Sequence, residues 1–511
     1  MKKDRIKNSI DGFLSSEFFD SNQKNTSSKL KLVRNYELNA PYCYANILYN
    51  PENSNYMYQI DEVKLNHEEQ QIYDKLYQLL EENIDSTKKN KDSNFEKFLN
   101  EIIEENKKLF QRYPVASIEK VKYYLHRDIA GFGIIDGLMK DPNIEDVSCS
   151  GINTPIYVWH RQFDSLQTNI QFEPSDLNNF VSRIVFRAGK HVSSAHPITD
   201  LALEGNHRIS VLYQKEITPK GTSFTIRKFK EDPYTIIDLI DFGTMNATIA
   251  AYLWMLMESK MSIMVIGSTG SGKTTVLNAI TGLVNPDYKI FSVEDVSEIN
   301  IKHENWFSLI SRPGFGTKGE GEIDLYSLIK SGVRHRPDYI VVGEIRGSEA
   351  YVMFQAMATG HGGLCTMHAD SLLSATKRLQ QKPMEIPPSY MTLMNCAIVI
   401  RRIKNNDTGQ STRKLISIEE IKDSNSFNSV FKWNPKTNSF DSNIEKSEML
   451  KRIADSQGQS VKEIIDEYQK RVAILNWMHA HNIREYKEVS EIIGNYYRNP
   501  NDILKTIHYE V

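Results

Sequence analysis

One octapeptide constrains this chain more than any other feature. Gly267-Ser-Thr-Gly-Ser-Gly272-Lys273-Thr274 meets every specified position of the pattern GxxxxGK[ST]. The apolar run 261–266 before it reads as a strand, and 276–283 after it is compatible with a helix. Phosphate binding needs both neighbours. Glycines let the backbone wrap so that its N–H groups face an anion, and a helix N-terminus adds the positive end of its dipole. The sequence therefore predicts that Gly267, Ser268, Thr269, Gly270, Ser271, Gly272 and Thr275 line a nucleotide's phosphates. Lys273 brings a point charge to the β- and γ-phosphates, and Thr274 a hydroxyl to Mg2+.

The surrounding pattern is that of an α/β fold. Residues 263–266, 289–293 and 339–342 are short buried-type strands separated by helical segments, which predicts a parallel, helix-flanked sheet over 233–403. In such sheets, functional groups cluster at strand C-termini. The segment 338–344 ends in Glu344, placed to order Mg2+ through water or to polarise an attacking water. A third strand ends in Glu294-Asp295. Two acidic strand ends beside one phosphate site allow one to serve the metal and the other the water, and spacing leaves open which does which. No guanine-selecting NKxD follows.

The rest of the 511 residues leaves room for two to four domains at roughly 100–200 residues each. Residues 117–232 alternate helix and strands as a smaller α+β domain, with an exit linker at 230–233. Residues 1–116 form a divergent N-terminal region with polar linkers at 21–31 and 86–93, short strands within 41–60, and helices at 66–83 and 94–111. After the polar stretch 404–413, the extension 404–511 reads as mostly helical, most clearly over 447–497. The longest apolar run, 247–257, falls short of the roughly 20 residues that cross a bilayer. The basic start 1–13 lacks the apolar region of a signal peptide. Membrane contact is thus expected to be indirect. Net charge is −3, so the overall balance demands no nucleic acid. Cys43, Cys149, Cys365 and Cys396 form no CxxC pair, which points to buried reduced thiols and no zinc.

Four boxes, in order, resemble those of the secretion ATPases of type II secretion, type IV pilus and archaellum machines, the archaeal branch above all. They are the phosphate loop; Val293-Glu294-Asp295-Val-Ser-Glu298; Val333-Arg334-His335-Arg336-Pro337-Asp338-Tyr-Ile-Val-Val-Gly-Glu344-Ile-Arg346-Gly347; and Ala358-Thr359-Gly360-His361-Gly-Gly-Leu-Cys-Thr366-Met-His368-Ala369. The likeness extends upstream through Thr225-Ile-Arg227-Lys-Phe229 and covers most of 117–500. It implies a RecA-like core preceded by the smaller domain, with ATP and Mg2+ held between them. It also implies a cytoplasmic homohexamer at the inner face of the cell membrane, driving filament or pseudopilus assembly through a polytopic membrane platform protein. Two departures stand out. The bacterial members' paired-cysteine metal module is missing, and Leu203-Glu204-Gly-Asn-His207 replaces the common Asp-Gly form before Arg208.

By spacing alone His361 and His368 are structural: seven apart, they do not meet on one helical turn, and no third metal ligand accompanies them. The resemblance instead puts both near the nucleotide, as phosphate sensors or inter-subunit contacts. Arg208 and Arg227, outside every box, read as surface strand arginines; the resemblance brings them to the γ-phosphate. The second enzymatic reading is a RecA-like nucleic-acid translocase, favoured only by a basic, aromatic-lined groove. A third reading, a nucleotide-gated adaptor, is opposed by the intact Lys273, Glu294 and Glu344.

Overall fold

Nine strands drawn from the first 228 residues pair into one mixed sheet in the computed structural model, which describes residues 30–84, 95–230, 232–312, 321–404 and 411–509. The expectations for 1–13, 21–29, 86–93, Glu231 and 405–410 lie outside these residues. The chain divides into two compact units, Met1–Lys228 and Phe229–Val511.

In the first unit the strands are β1 (Lys31–Asn39), β2 (Cys43–Asn50), β3 (Asn55–Glu62), β4 (Ile144–Cys149), β5 (Pro155–His160), β6 (Asp164–Gln171), β7 (Ile198–Ala202), β8 (Arg208–Leu212) and β9 (Ser223–Arg227). Their order is β1-β2-β3-β6-β5-β4-β9-β8-β7. A short parallel joint, Met57 beside Gln167 and Tyr58 beside Thr168, ties β3 to β6; the other pairings are antiparallel. Residues 31–62, expected in a separate N-terminal region, are therefore part of this sheet. The reason is apolar: Ala45, Ile47 and Tyr58 are fully buried in one cluster with Val147, Val158 and Ile226. The helix Pro174–Arg187 lays Leu177, Val181, Ile184 and Val185 on that cluster at helical spacing. Helices His67–Ile84, Phe95–Glu105 and Val115–Leu125 bury Ile72, Leu76, Leu99, Ile102 and Val121 in a satellite core.

The second unit holds β10 (Ile263–Ile266), β11 (Ile290–Glu294), β12 (Trp306–Ile310), β13 (Tyr339–Val342), β14 (Gly362–Met367), β15 (Cys396–Lys404), β16 (Ser411–Ile421), β17 (Phe427–Asn434) and β18 (Ser439–Ser442). The order is β12-β11-β13-β14-β10-β15-β16-β17-β18. The first six are parallel, and every residue of β10, β13 and β14 is buried, as expected for a sheet covered on both faces. β16, β17 and β18 continue it antiparallel. Three strands thus occupy much of 411–442, which corrects the mostly helical assignment of 404–511 for that part; the helical segment expected over 447–497 is present, in helices from Glu448–Gln457 to Pro500–Thr506.

The apolar run near 250 forms the helix Ala247–Glu258, buried between the sheet and these C-terminal helices. Trp254 Nε1 donates to Tyr497 Oη at 3.0 Å, and the buried Arg471 lies over the rings of Trp254 and Tyr496 while pairing with Glu258 and Glu467. Among the described residues no helix is long and apolar enough to cross a membrane. All four cysteines are buried thiols.

Candidate nucleotide site

β10 ends at Ile266, and the phosphate loop turns there into the helix Lys273–Thr281. Gly270 (φ +70°) and Gly272 (φ +94°) adopt left-handed backbone conformations that glycine takes without strain. Gly267 has a different reason to be glycine: a Cβ there would lie 2.5 Å from Ile400 O and from Ser271 Oγ. Ser271 Oγ donates to Ser268 O at 2.8 Å and closes the turn. Thr269 and Thr275 flank the loop, at its tip and in the first turn of the helix.

The neighbouring strand ends converge on this loop. Gly267 N donates to Met367 O at the end of β14, which brings His368 alongside, and Thr366 Oγ1 donates to Gly343 O beyond β13, just before Glu344. Lys273 Nζ, on a side chain only 8% exposed, donates to Ser268 O at 3.0 Å and lies 3.3 Å from the His368 ring. His368 Nε2 is 3.3 Å from Glu344 Oε1, and Arg346 Nη2 donates to Glu344 Oε2 at 2.6 Å. Lys273, His368, Glu344 and Arg346 therefore form one continuous chain of polar contacts.

Burial pushes Lys273 below its ordinary amine range, against the pull of Glu344 and Glu298. Burial pushes Glu344 up, but the Arg346 hydrogen bond and the charges of His368, Arg346 and Lys273 outweigh it and hold the carboxyl low. Burial and the Lys273 charge depress His368, against the pull of Glu344.

The two acidic strand ends divide differently from either expected arrangement. Glu294 is 2% exposed, and its Oε1 accepts the backbone N–H groups of Glu298 at 2.9 Å and Ile299 at 2.7 Å. The carboxylate that reaches the loop is Glu298, whose Oε2 accepts from Thr274 Oγ1 at 3.2 Å. Sequence reasoning missed Glu298 as a site residue, although it closes the acidic box; it lies four residues past the end of β11, where strand-end logic does not look. A hydroxyl and a carboxylate oxygen side by side are hard ligands of the kind Mg2+ takes, so the residues present fit that ion.

The two histidines are not brought together. The six residues of β14 separate them, and seven steps at about 3.3 Å each put them roughly 23 Å apart at opposite ends of that strand. His361 Nδ1 lies 3.0 Å from Ala356 O, beside the helix end and at the far end of β14 from the phosphate loop, which corrects its expected role as a sensor at this loop; a role as an inter-subunit contact is a proposal. In the first unit, Arg208 and Arg227 are direct cross-strand partners on β8 and β9, with Asp146 of β4 next in register. Arg227 Nε donates to Asp146 Oδ1 at 3.3 Å, on a side chain 53% exposed. Two guanidinium groups thus leave the sheet at one place.

A parallel sheet carrying a phosphate loop at the end of a central strand, and carboxylates beyond the ends of β13 and β11 in the same sheet, defines a phosphate-loop nucleotide-binding protein. The model of the type II/IV secretion system protein family matches residues 166–476, more than half of the chain, and the chain belongs to that family. It is 37% identical over 389 residues to an uncharacterised protein of Methanocaldococcus jannaschii, covering 74% of this chain and 70% of the relative. It is 31% identical over 255 residues to a putative conjugal transfer protein of Mycobacterium tuberculosis, covering 48% and 71%. Among solved structures it resembles the ATPase DotB of Legionella pneumophila with a TM-score of 0.41 and 14% identity, over 69% of this chain and 91% of that one.

Proposed function

We propose that this chain is an ATP-hydrolysing motor subunit, working as a cytoplasmic homohexamer at the inner face of the cell membrane. It drives a secretion or type IV pilus-type machine, archaellum and pseudopilus included, through a membrane platform protein. The observation that carries this reading is the convergence of Lys273, Thr274, Glu298, Glu344 and His368 at the C-terminal ends of parallel strands. Relatives named for conjugal transfer add transfer machines to the possible hosts.

Each residue has a task in this reading. The loop's N–H groups and the Lys273 ammonium bind the β- and γ-phosphates. Thr274 and Glu298 hold Mg2+, which when bound neutralises charge on the phosphate oxygens. Glu344, kept ionised by Arg346, orients the attacking water. His368 contacts the γ-phosphate. Arg208 and Arg227 supply guanidinium charge to the transition state.

The test is the ATPase rate of the wild-type chain with and without membranes carrying its platform protein, and with and without single-stranded DNA. Stimulation by the membranes is expected. Stimulation by DNA alone makes the chain a nucleic-acid translocase, and no turnover under any condition makes it a nucleotide-gated adaptor.

A further inference from the structure

The acidic segment that brings Glu298 to Thr274 is pinned from both sides. Its peptide N–H groups at Glu298 and Ile299 are taken by Glu294 Oε1. Its carbonyl side is taken by Asn278, one turn beyond Thr274 on the same face of the helix Lys273–Thr281. Asn278 Nδ2 donates to Glu298 O at 3.3 Å, and Asn278 Oδ1 accepts from Asn300 N at 3.3 Å. A carbonyl on one side and an N–H on the other fix the orientation of the amide. The side chain is 8% exposed and clamps the backbone of 298–300 as a neighbouring strand would. The same segment reaches the start of the second unit. Asn300 Nδ2 donates to Lys230 O at 3.0 Å, and Lys302 pairs with Asp232.

We propose that Asn278 is a positioning residue that holds the Glu298 carboxylate against Thr274 and, through Asn300, ties occupancy of that site to the chain at Lys230. This rests on Thr274 and Glu298 being the magnesium site of the proposed function. A carboxylate carried four residues past a strand end is otherwise free to swing. Asn278 borrows the rigidity of the phosphate-loop helix to stop it. A ligand that draws Glu298 and Thr274 together therefore also sets the 298–302 segment, and with it the backbone at Lys230. Outer-shell partners of this kind govern metal affinity more than ligand affinity at large.

The test measures ADP binding to the full-length chain by calorimetry with and without Mg2+. In the wild type Mg2+ tightens ADP binding. Asn278→Ala is expected to lose at least about 10-fold of that tightening, with metal-free ADP affinity close to wild type. Asn278→Asp, which keeps the acceptor for Asn300 N but loses the donor to Glu298 O, lowers the tightening too and carries the test if the alanine variant fails to fold. In steady-state turnover the loss falls on kcat more than on KM. Asn300→Ala should keep the Mg2+ effect but abolish the nucleotide dependence of tryptic cleavage after Lys230. Wild-type Mg2+ tightening in both Asn278 variants overturns the positioning role, as does a wild-type ADP affinity indifferent to Mg2+. Nucleotide-dependent cleavage unchanged in Asn300→Ala overturns the tie to Lys230. The binding arms need no hydrolysis, so a chain that binds Mg-ADP in this way and never turns over ATP contradicts the motor reading alone.

Discussion

Lys273 and Glu344 face each other across His368, and their charges sustain one another: the ammonium helps to keep the carboxyl ionised, and the carboxylate opposes the burial that would discharge the amine. Glu344→Gln keeps the shape of this arrangement and removes its negative charge. Turnover is expected to fall about 10²–10⁴-fold with ATP binding retained; wild-type turnover in that variant shifts the water-orienting role to Glu298. Arg227→Ala, and to a smaller extent Arg208→Ala, should lower kcat by at least about 100-fold and leave ADP affinity nearly unchanged, because ADP lacks the group they meet. Rates within a few-fold of wild type make both arginines structural. A third residue sets a pH dependence. Burial drives the fully enclosed His160 down to about 4, so its ring is neutral in the fold. The unfolded chain takes up that proton below about 6.5, so the contribution is complete above that value and is lost as pH falls toward 4. Between pH 7 and 5, His160→Gln should lose about 2 kcal/mol less stability than wild type in denaturant titrations, whereas equal losses contradict a neutral buried ring. At this scale the sequence disclosed the loop between β10 and its helix and the place of Glu344 just beyond β13, because both are local features. The division between Glu294 and Glu298 stayed hidden, since a turn, not the strand, aims the second carboxylate.

The short fully buried strands were legible as elements because nothing but apolar residues fits a parallel strand covered on both faces; β10 and β13 have the ends their apolar runs indicate. β16 opens with Ser-Thr-Arg-Lys, of which only the serine is buried, so 404–413 read as a boundary although Lys404 and Ser411 are cross-strand partners. Beside a shared apolar core, one carboxylate ties these added strands to the helices after them. Glu420, fully buried, accepts hydrogen bonds from Tyr252 Oη, Asn428 Nδ2, Ser447 Oγ and the backbone N–H groups of Glu448 and Met449. Glu420→Ala strands several buried donors at once and is expected to cost about 3 kcal/mol or more by chemical denaturation. A loss under about 1 kcal/mol means that these donors find other partners.

Across the whole molecule, the larger error of sequence reading was the placement of residues 31–62, whose membership in the first sheet rests on a two-residue parallel joint and a shared core that no local pattern announces. The family and the nucleotide-binding fold of the second unit were readable, because the four boxes lie on consecutive strand ends of one sheet. If Mg-ATP stabilises a closed, assembled form, it should shift the chain to a hexamer in light scattering and protect 230–235 from protease; identical masses and digestion patterns with and without nucleotide contradict this. The central claim is that the phosphate loop and its carboxylates hydrolyse ATP. Its most direct measurement is steady-state phosphate release by purified wild-type chain beside Lys273→Ala, with circular dichroism to establish that both are folded. The expected result is Mg2+-dependent release by the wild type and none above background by Lys273→Ala. Equal release by the two folded proteins would contradict the account at its root.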